Sequence, residues 1–301
     1  EHSIYSGTVE YQFEGAKLTF ASSYVDELKD GRVDVMETLG GADFVDMNYI
    51  GRPVGTTTSV PQVSSVGSER FTQEIQLVSD SSETWEWIAG LYYTDETTFK
   101  NNDLRAQPGD VNIIFFERPS EYKEIAAFGS LTYYVNPEFD LTIGARFSSN
   151  EMKFDDDTSS DVFLVATGFT SKVDDTVSTW SFSARYRPQE ELSFYARAAS
   201  GYRPAFANSQ SFFDPEGKAS DFVEADTLWS YEVGAKGSFA EMFNYDLALW
   251  YLTWDDFQAL VSLPGIGSGA SNVAGGITGK GVEGSLTARP LEGLSIITSF
   301  S

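Results

Sequence analysis

The sequence predicts an all-β protein, an antiparallel up-and-down transmembrane β-barrel, and three patterns support this prediction. Apolar and polar residues alternate along many segments, short turns and long polar connections follow one another in order, and aromatic residues gather near the ends of the segments. No run approaches the roughly 18 apolar residues that a spanning helix needs. Barrel strands alternate and therefore escape a hydropathy scan, so this absence is compatible with a membrane barrel.

The alternation is clearest over residues 141–147. Leu141, Ile143 and Phe147 fall on one face of an extended strand, and Thr142 and Arg146 fall on the other, because successive side chains of a strand point to opposite faces. Residues 180–186 and 192–198 repeat the pattern. A soluble sandwich would bury the apolar face, whereas a membrane barrel turns it towards lipid. The connections and the aromatic residues must therefore distinguish the two.

The connections alternate between short and long. Tight turns rich in Gly, Pro, Asn and Asp are predicted at residues 14–16, 80–83, 137–140, 187–190, 240–244 and 289–293. Long polar segments are predicted at residues 25–69, 95–120, 150–174, 202–225 and 256–275. This asymmetry is typical of outer-membrane barrels, which have short periplasmic turns and long extracellular loops. The pattern gives about 12 strands without an internal domain boundary.

Aromatic residues near the predicted strand ends indicate the girdles that membrane barrels place at both interfaces. The residues concerned are Trp85, Trp87, Tyr92, Tyr93, Tyr133, Tyr134, Trp250, Tyr251 and Trp254. Aromatic residues are also enriched in any β core. The girdle interpretation gains its weight from the alternation of short and long connections.

Composition excludes several functions. The chain has 301 residues and a formal net charge of -25, which opposes nucleic acid as a partner. It has no cysteine, and its only histidine is His2, so we expect no enzyme and no cofactor. Asp155, Asp156 and Asp157, with Asp161 nearby, offer oxygen ligands for Ca²⁺. We favour a solvated acidic loop there and predict no metal site.

Several segments resemble TonB-dependent outer-membrane receptors. They are residues 69–79, 85–93, 194–204, 228–239, 247–258 and 281–284, and the runs SGYRP (200–204) and SYEVGAK (230–236) are the most specific. The family implies a 22-stranded barrel, an N-terminal plug and a TonB box. We find no plug, no TonB box and no closing strand with a terminal aromatic residue. We therefore expect residues 1–301 to be a partial barrel domain of about 12 strands, cut from a longer chain.

The resemblance implies active uptake of a scarce ligand across the outer membrane of a Gram-negative bacterium. A ferric siderophore is the expected ligand, and a vitamin or an oligosaccharide is the alternative. The implied partners are TonB with its inner-membrane energising complex, the ligand and outer-membrane lipid. A different class also stays open, a soluble or surface-attached all-β ligand-binding protein that buries Trp180, Phe182, Leu192 and Phe194 between sheets. A smaller complete barrel acting as a passive pore is a third possibility.

Two groups of residues are candidates for function. If the apolar face meets lipid, the lumen-facing candidates are Arg146, Arg185, Arg197, Glu232 and Lys236, together with Glu74, Glu124 and Glu283. We favour mutual ion pairing for them over a path for an anionic ligand, because buried charges need partners. The candidates for ligand binding are Tyr202, Arg203, Phe206, Phe212 and Phe213, which enter an outer loop.

Overall fold

A computed structural model describes residues 1–207, 222–240, 242–263 and 267–301. Within these ranges, one antiparallel sheet of twelve strands follows the chain in up-and-down order. The predicted fold class and strand number are therefore confirmed. Two pairs of short antiparallel strands, residues 206–207 with 222–223 and residues 258–263 with 267–272, stand apart from this sheet.

Along the chain, the strands are β1 (His2–Gln12), β2 (Ala16–Asp34), β3 (Pro61–Ser79), β4 (Trp85–Ala106), β5 (Val111–Asn136), β6 (Phe139–Ser160), β7 (Val165–Gln189), β8 (Leu192–Arg203), β9 (Phe206–Ala207), β10 (Phe222–Val223), β11 (Asp226–Phe239), β12 (Phe243–Asp255), β13 (Gln258–Leu263), β14 (Gly267–Asn272), β15 (Ile277–Leu291) and β16 (Leu294–Phe300). The twelve strands of the large sheet pair in the order β1 to β8, β11, β12, β15 and β16.

The sheet has an apolar face and a polar face. Leu91, Ile125 and Phe147 lie on the apolar face and are 57%, 63% and 54% exposed, so no second sheet covers them among the described residues. The register pairs Arg146 with Phe128 and Thr142 with Thr132 on the opposite, polar face. The sheet is therefore not half of a sandwich, in which the apolar face would be buried.

The tight turns lie within three residues of their predicted bounds, but three of the long loops differ from the prediction. Strands β2 to β7 are 19 to 26 residues long, which leaves short connections at residues 107–110 and 161–164. The predicted loops at 95–120 and 150–174 are therefore mostly strand, and the loop at 25–69 shrinks to residues 35–60. Polar residues occupy both faces of these extensions, so alternation does not reveal them.

The sheet is uneven at the end that carries the long connections. Strands β8, β11 and β12 have only 12 to 14 residues, so they end well below the tips of β4 to β7. Strand β8 pairs with β7 only between Ser181 and Gln189 of β7. On the N-terminal side of Ser181 in β7, β8 no longer pairs with β7. The short strand β9, which follows β8, lies near β6 and β7.

Aromatic residues occupy both faces. Trp85 and Tyr133 contact each other on the apolar face beside a tight turn, with ring centroids 5.0 Å apart. Tyr93, on the same face of β4, is eight residues further along. The expectation of a girdle is wrong for Tyr92, Tyr134, Trp250 and Trp254, which the register places on the polar face.

Glycines on the polar face lie opposite aromatic residues of the neighbouring strand. Gly234 pairs with Tyr195, Gly281 with Trp250, and Gly90 with Phe128. A Cβ atom at Gly234 or at Gly281 would lie 2.5 Å from the opposite ring. Each ring therefore occupies the space that a side chain on the glycine would need.

The β2–β3 connection, residues 35–60, folds into a compact cap that we call the tip loop. It contains a helical turn, α1 (Ala42–Val45), which continues as a π-helical turn (Asp46–Ile50). Val45 and Val60 are fully buried against Leu104, Ala106 and Ile113 at the tips of β4 and β5. Throughout the described ranges, no helix has the length and apolar character needed to cross a membrane.

Candidate functional site

The register brings the predicted lumen-facing residues onto one face. Arg185 of β7 pairs with Asp140 of β6, and Arg197 of β8 pairs with Glu232 of β11. Lys236 shares the face of Glu232, four residues along the same strand. That these residues face a lumen stays a prediction, because the sheet by itself does not show what fills the space beside it.

The central cluster of the polar face joins strands β5, β6 and β8. The guanidinium of Arg146 donates to Glu124 Oε1 at 2.6 Å. Tyr122 donates its hydroxyl to Asn150 Oδ1 at 2.9 Å, and Tyr202 donates to the same oxygen at 3.2 Å. The cluster thus ties the divergent end of β8 to strands two and three positions away in the sheet.

Arg146 also has partners beyond this cluster. Its Nε donates to Ser148 Oγ at 3.1 Å, and its guanidinium lies 4.7 Å from the centre of the Tyr92 ring. These contacts hold the planar guanidinium in one orientation on the polar face of the sheet. An anion reaching Arg146 would therefore compete with Glu124 for the guanidinium.

Two further networks contain Arg185, Lys236 and Glu232. Asp140, almost completely buried, accepts from Arg185 Nε at 2.9 Å and from Arg187 Nη2 at 3.2 Å. The Lys236 ammonium lies 2.7 Å from Asp246. Near it, Tyr195 donates its hydroxyl to Glu232 Oε1 at 2.5 Å. Of the eight predicted charges, Arg146, Glu124, Arg185 and Lys236 lie in intramolecular ion pairs, and Glu232 accepts a hydrogen bond from Tyr195. Mutual pairing of the whole set stays a prediction.

Arg203 lies at the junction of β8, β11 and the β12–β13 connection. Its Nε and Nη2 both donate to Asp226 Oδ2, the former at 2.8 Å, and Nη2 also donates to the Gln258 carbonyl at 2.9 Å. The guanidinium stacks 4.7 Å from the Trp254 ring and 5.0 Å from Phe257. Asp226 is fully buried. These contacts give Arg203 a structural role, and its proposed contact with a ligand stays a prediction.

Gln258 and Asn272 complete this junction. The Gln258 side-chain amide donates to the carbonyls of Pro204 and Glu224, both at 2.9 Å. The Asn272 amide donates to the carbonyls of Asp256 and Glu224 at 2.6 and 3.0 Å. The junction thus fastens the connection that precedes β11 and the segment that follows β12 to the same end of the sheet.

The remaining predicted ligand-binding residues are not brought together by the described residues. Phe206 forms half of β9 and is partly buried. Phe212 and Phe213 lie outside the described residues. Of the five candidates, the structure therefore gives contacts chiefly for Tyr202 and Arg203.

The tip loop presents an aromatic cluster that the sequence analysis missed. Phe44 and Tyr49 meet edge to face with centroids 6.0 Å apart, and Tyr49 meets Phe163 of the β6–β7 turn in the same way at 6.2 Å. Phe44 is 44% exposed, and the neighbouring Met47 is 62% exposed. The apolar residues between Val35 and Ile50, within a segment classed as polar, were the available signal.

Asp46 fixes the conformation of the tip loop. Its carboxylate is fully buried and accepts from the Thr57 hydroxyl at 2.5 Å and from the amides of Thr57 and Thr56 at 3.1 and 2.8 Å. The Thr57 hydroxyl above all, with these two amides, holds the pKa of Asp46 below its usual 3.8 although burial opposes this. The loop is therefore most stable with Asp46 ionised.

The acidic run at residues 155–157 is strand rather than the predicted loop. Asp155 accepts from Lys153 at 3.1 Å and from Thr170 at 2.5 Å, and Asp156 accepts from Arg118 at 2.9 Å. The alternation of β6 separates Asp156 from its two neighbours. In the described part of the chain, no three His, Cys, Asp or Glu side chains gather as a metal site.

Comparison with known proteins identifies the family. Residues 2–301 match the family model described as "TonB dependent receptor-like, beta-barrel". Among solved structures, the ferric yersiniabactin uptake receptor FyuA from Yersinia pestis superposes with a TM-score of 0.76 at 18% identity, over 99% of this chain and 42% of that one.

Two further structures share the fold. The siderophore receptor PiuA from Acinetobacter baumannii superposes with a TM-score of 0.67 at 14% identity, and the copper transporter OprC with 0.71 at 12%. The two superpositions include 99% and 98% of this chain, respectively, and 46% of each of the other two chains. It therefore spans less than half the length of these structures. The family match over nearly every residue, together with the two-faced sheet, shows that this chain belongs to the β-barrel domain of the TonB-dependent receptors.

Proposed function

We propose that the chain forms part of the barrel wall of an outer-membrane receptor that imports a ferric siderophore in a Gram-negative bacterium. The observation that carries this proposal is the two-faced sheet of twelve strands, which exposes large apolar side chains on one face and pairs charges on the other. Such a sheet suits a wall between lipid and a polar interior.

The aromatic residues of β4 support a membrane position. Trp85 and Tyr93 are eight residues apart on the apolar face, about 26 Å along a strand. A tilt of about 40° reduces this to roughly 20 Å of height, close to the roughly 25 Å apolar band of outer-membrane barrels. The Tyr93 hydroxyl donates to Asp95 at 3.0 Å, as expected where the strand enters water. The part of β4 beyond Tyr93 would then be extracellular.

The ion pairs of the polar face support a wall that also meets a polar interior. In a complete receptor this face would contact a plug, which TonB and the inner-membrane energising complex would displace to admit the ligand. Arg146, Arg185 and Lys236 already have carboxylate partners in the wall. They would therefore stiffen the wall and contact the plug at its surface, without a catalytic role.

The siderophore is the ligand favoured by the structural relatives. The first two of these are described as a ferric yersiniabactin uptake receptor and a siderophore receptor. The exposed ring of Phe44 and the exposed side chain of Met47 in the tip loop provide apolar surface on which an organic iron chelate can pack.

Uptake of labelled iron by intact cells tests the proposal. The gene for the complete receptor is deleted from its host and restored on a plasmid, and uptake of a panel of ferric siderophores is measured under iron limitation. We expect uptake of at least one chelate to require both the receptor and TonB. Unchanged uptake of every chelate, with loss of vitamin or oligosaccharide uptake instead, would refute the siderophore assignment.

A further inference from the structure

The upper part of the wall combines exposed aromatic rings with a large excess of negative charge. Residues 26–70, 95–123 and 151–175, which form the tip loop and the upper strand extensions, contain 21 acidic and ten basic side chains. Glu37, Asp43 and Asp161 are exposed on the tip loop and the adjacent β6–β7 turn. The aromatic cluster of Phe44 and Phe163 belongs to the same two segments.

The tip loop is positioned on the polar side of the wall. Its buried residues Val45 and Val60 pack against Leu104. The register of β3 and β4 places Leu104 on the same face as Tyr92, against which Arg146 stacks. The aromatic cluster thus belongs to a loop anchored on the face that would border the entrance of the barrel.

The loop is also held in one conformation before any ligand arrives. Asp46 is bound by three donors, and Arg52 Nη1 donates to the Pro108 carbonyl across the β4–β5 turn at 2.6 Å. Asn48 Nδ2 donates to the Phe44 carbonyl at 2.9 Å. Exposed rings on a fixed loop bind a ligand with little loss of conformational entropy.

We propose that this entrance selects positively charged ferric chelates over negatively charged ones, an inference that rests on the proposed siderophore uptake. Surplus carboxylates attract a cationic complex from solution, and they repel an anionic complex such as a ferric tris-catecholate. The exposed ring of Phe44 then stabilises the cation at close range. The favoured class is therefore a ferric chelate with a net positive charge, and a ferric trihydroxamate with a free ammonium group serves as its probe.

Association rates of the full-length receptor test the charge selection. Stopped-flow fluorescence follows the binding of a cationic ferric trihydroxamate and of an anionic ferric tris-catecholate between low and physiological salt. We expect the cationic chelate to bind at least about tenfold faster at low salt, with an advantage that shrinks as salt is added. Equal rates for the two chelates, or a faster anionic one, would overturn the inference.

Matched variants locate the effect. The triple variant E37Q, D43N and D161N removes three charges at the entrance, and we expect it to slow cationic association several-fold. The control E83Q, E190Q and E292Q removes three exposed charges from the tight turns at the other end of the sheet. Equal slowing by both variants would contradict selection at the entrance, because net charge alone would then explain it.

The aromatic contribution has a separate readout. Phe44→Leu keeps an apolar side chain and removes the ring, and we expect faster dissociation of the cationic chelate with an unchanged association rate. An unchanged dissociation rate would show that the Phe44 ring does not contribute to holding the chelate. If the receptor transports neither chelate nor any other ferric complex, the proposed function itself fails, whereas transport that favours anionic chelates leaves it intact and refutes only the charge selection.

Discussion

Arg203 and Asp226 form the best-connected ion pair of the described structure. Two nitrogens of the guanidinium donate to one carboxylate oxygen, and the Asp226 side chain is completely buried. The backbone amide of Arg203 donates to the other oxygen at 3.1 Å. The pair lies where β8 ends and β11 begins, so it determines how the connection between these two strands leaves and re-enters the sheet.

Removing the carboxylate of this pair should destabilise the receptor strongly. Asp226→Ala removes the charged partner of Arg203, whose side chain is 42% exposed and can be hydrated, so we expect a loss of about 1.5–3 kcal/mol. Chemical unfolding of the refolded receptor in detergent measures the change. Lys17→Gln breaks the exposed Lys17–Glu10 pair and should cost less than about 1 kcal/mol. Similar losses for the two variants would disprove the anchoring role.

A methyl group at Gly234 should disturb the polar face. In Gly234→Ala the new Cβ would lie 2.5 Å from the Tyr195 ring, whose hydroxyl bonds to Glu232. The ring must move, and we expect a loss of about 1–3 kcal/mol, as for other overpacked sites. Gly201→Ala on β8 has nothing within 4 Å and should be nearly neutral. Thermal unfolding compares the two, and a neutral Gly234→Ala would contradict the close packing described here.

The tip loop should loosen in acid through Asp46. The folded state holds its pKa below the usual 3.8, so the ionised carboxylate stabilises the loop fully above that value, and this contribution is lost as pH falls through the folded pKa. Pepsin cleavage within residues 35–60, measured from pH 5 to pH 2 and normalised to an unstructured peptide, should rise steeply below pH 3.8. The Asp46→Asn variant should be cleaved readily at every pH tested, and its cleavage rate should depend less on pH. Identical profiles would exclude Asp46 as the cause.

Tyr202 should contribute to the stability of the sheet more than to ligand affinity. Its hydroxyl donates to Asn150 and lies 3.5 Å from Glu124, so the group is already engaged. We expect Tyr202→Phe to cost about 0.5–1.5 kcal/mol of stability and to leave chelate affinity within about twofold, by chemical unfolding and fluorescence titration. A tenfold loss of affinity at unchanged stability would restore the ligand-binding interpretation from the sequence.

The fold was largely predictable because the lipid-facing constraint leaves a period-two pattern in the sequence. Residues 141–147 and 192–198 alternate strictly, and both lie in strands of the sheet. Residues 155–160 of β6 are polar on both faces, which is tolerated once a strand has left the apolar layer. This is why the extracellular strand extensions were interpreted as loops.

The candidate site was less predictable because its contacts join distant residues. Tyr202 reaches Asn150, and Arg203 reaches Asp226 and Gln258 across the divergent end of β8. No local pattern encodes these pairings, since they depend on the point at which β8 separates from β7. The tip loop was missed for a related reason: its apolar residues are spaced for a local core, with the period of neither a strand nor an amphipathic helix.

The glycines opposite aromatic rings have a consequence for strand alignment. A slip of two residues would preserve the inward and outward faces, so hydrophobic patterning alone does not prevent it. Such a slip would set Tyr195 against Glu232 or Lys236 instead of Gly234, and Phe128 against Ile88 or Tyr92 instead of Gly90. Each ring would then have to leave its present position, because a side chain would occupy the space that the glycine leaves open. The glycines opposite aromatic rings therefore favour the observed register of neighbouring strands over a register shifted by two residues.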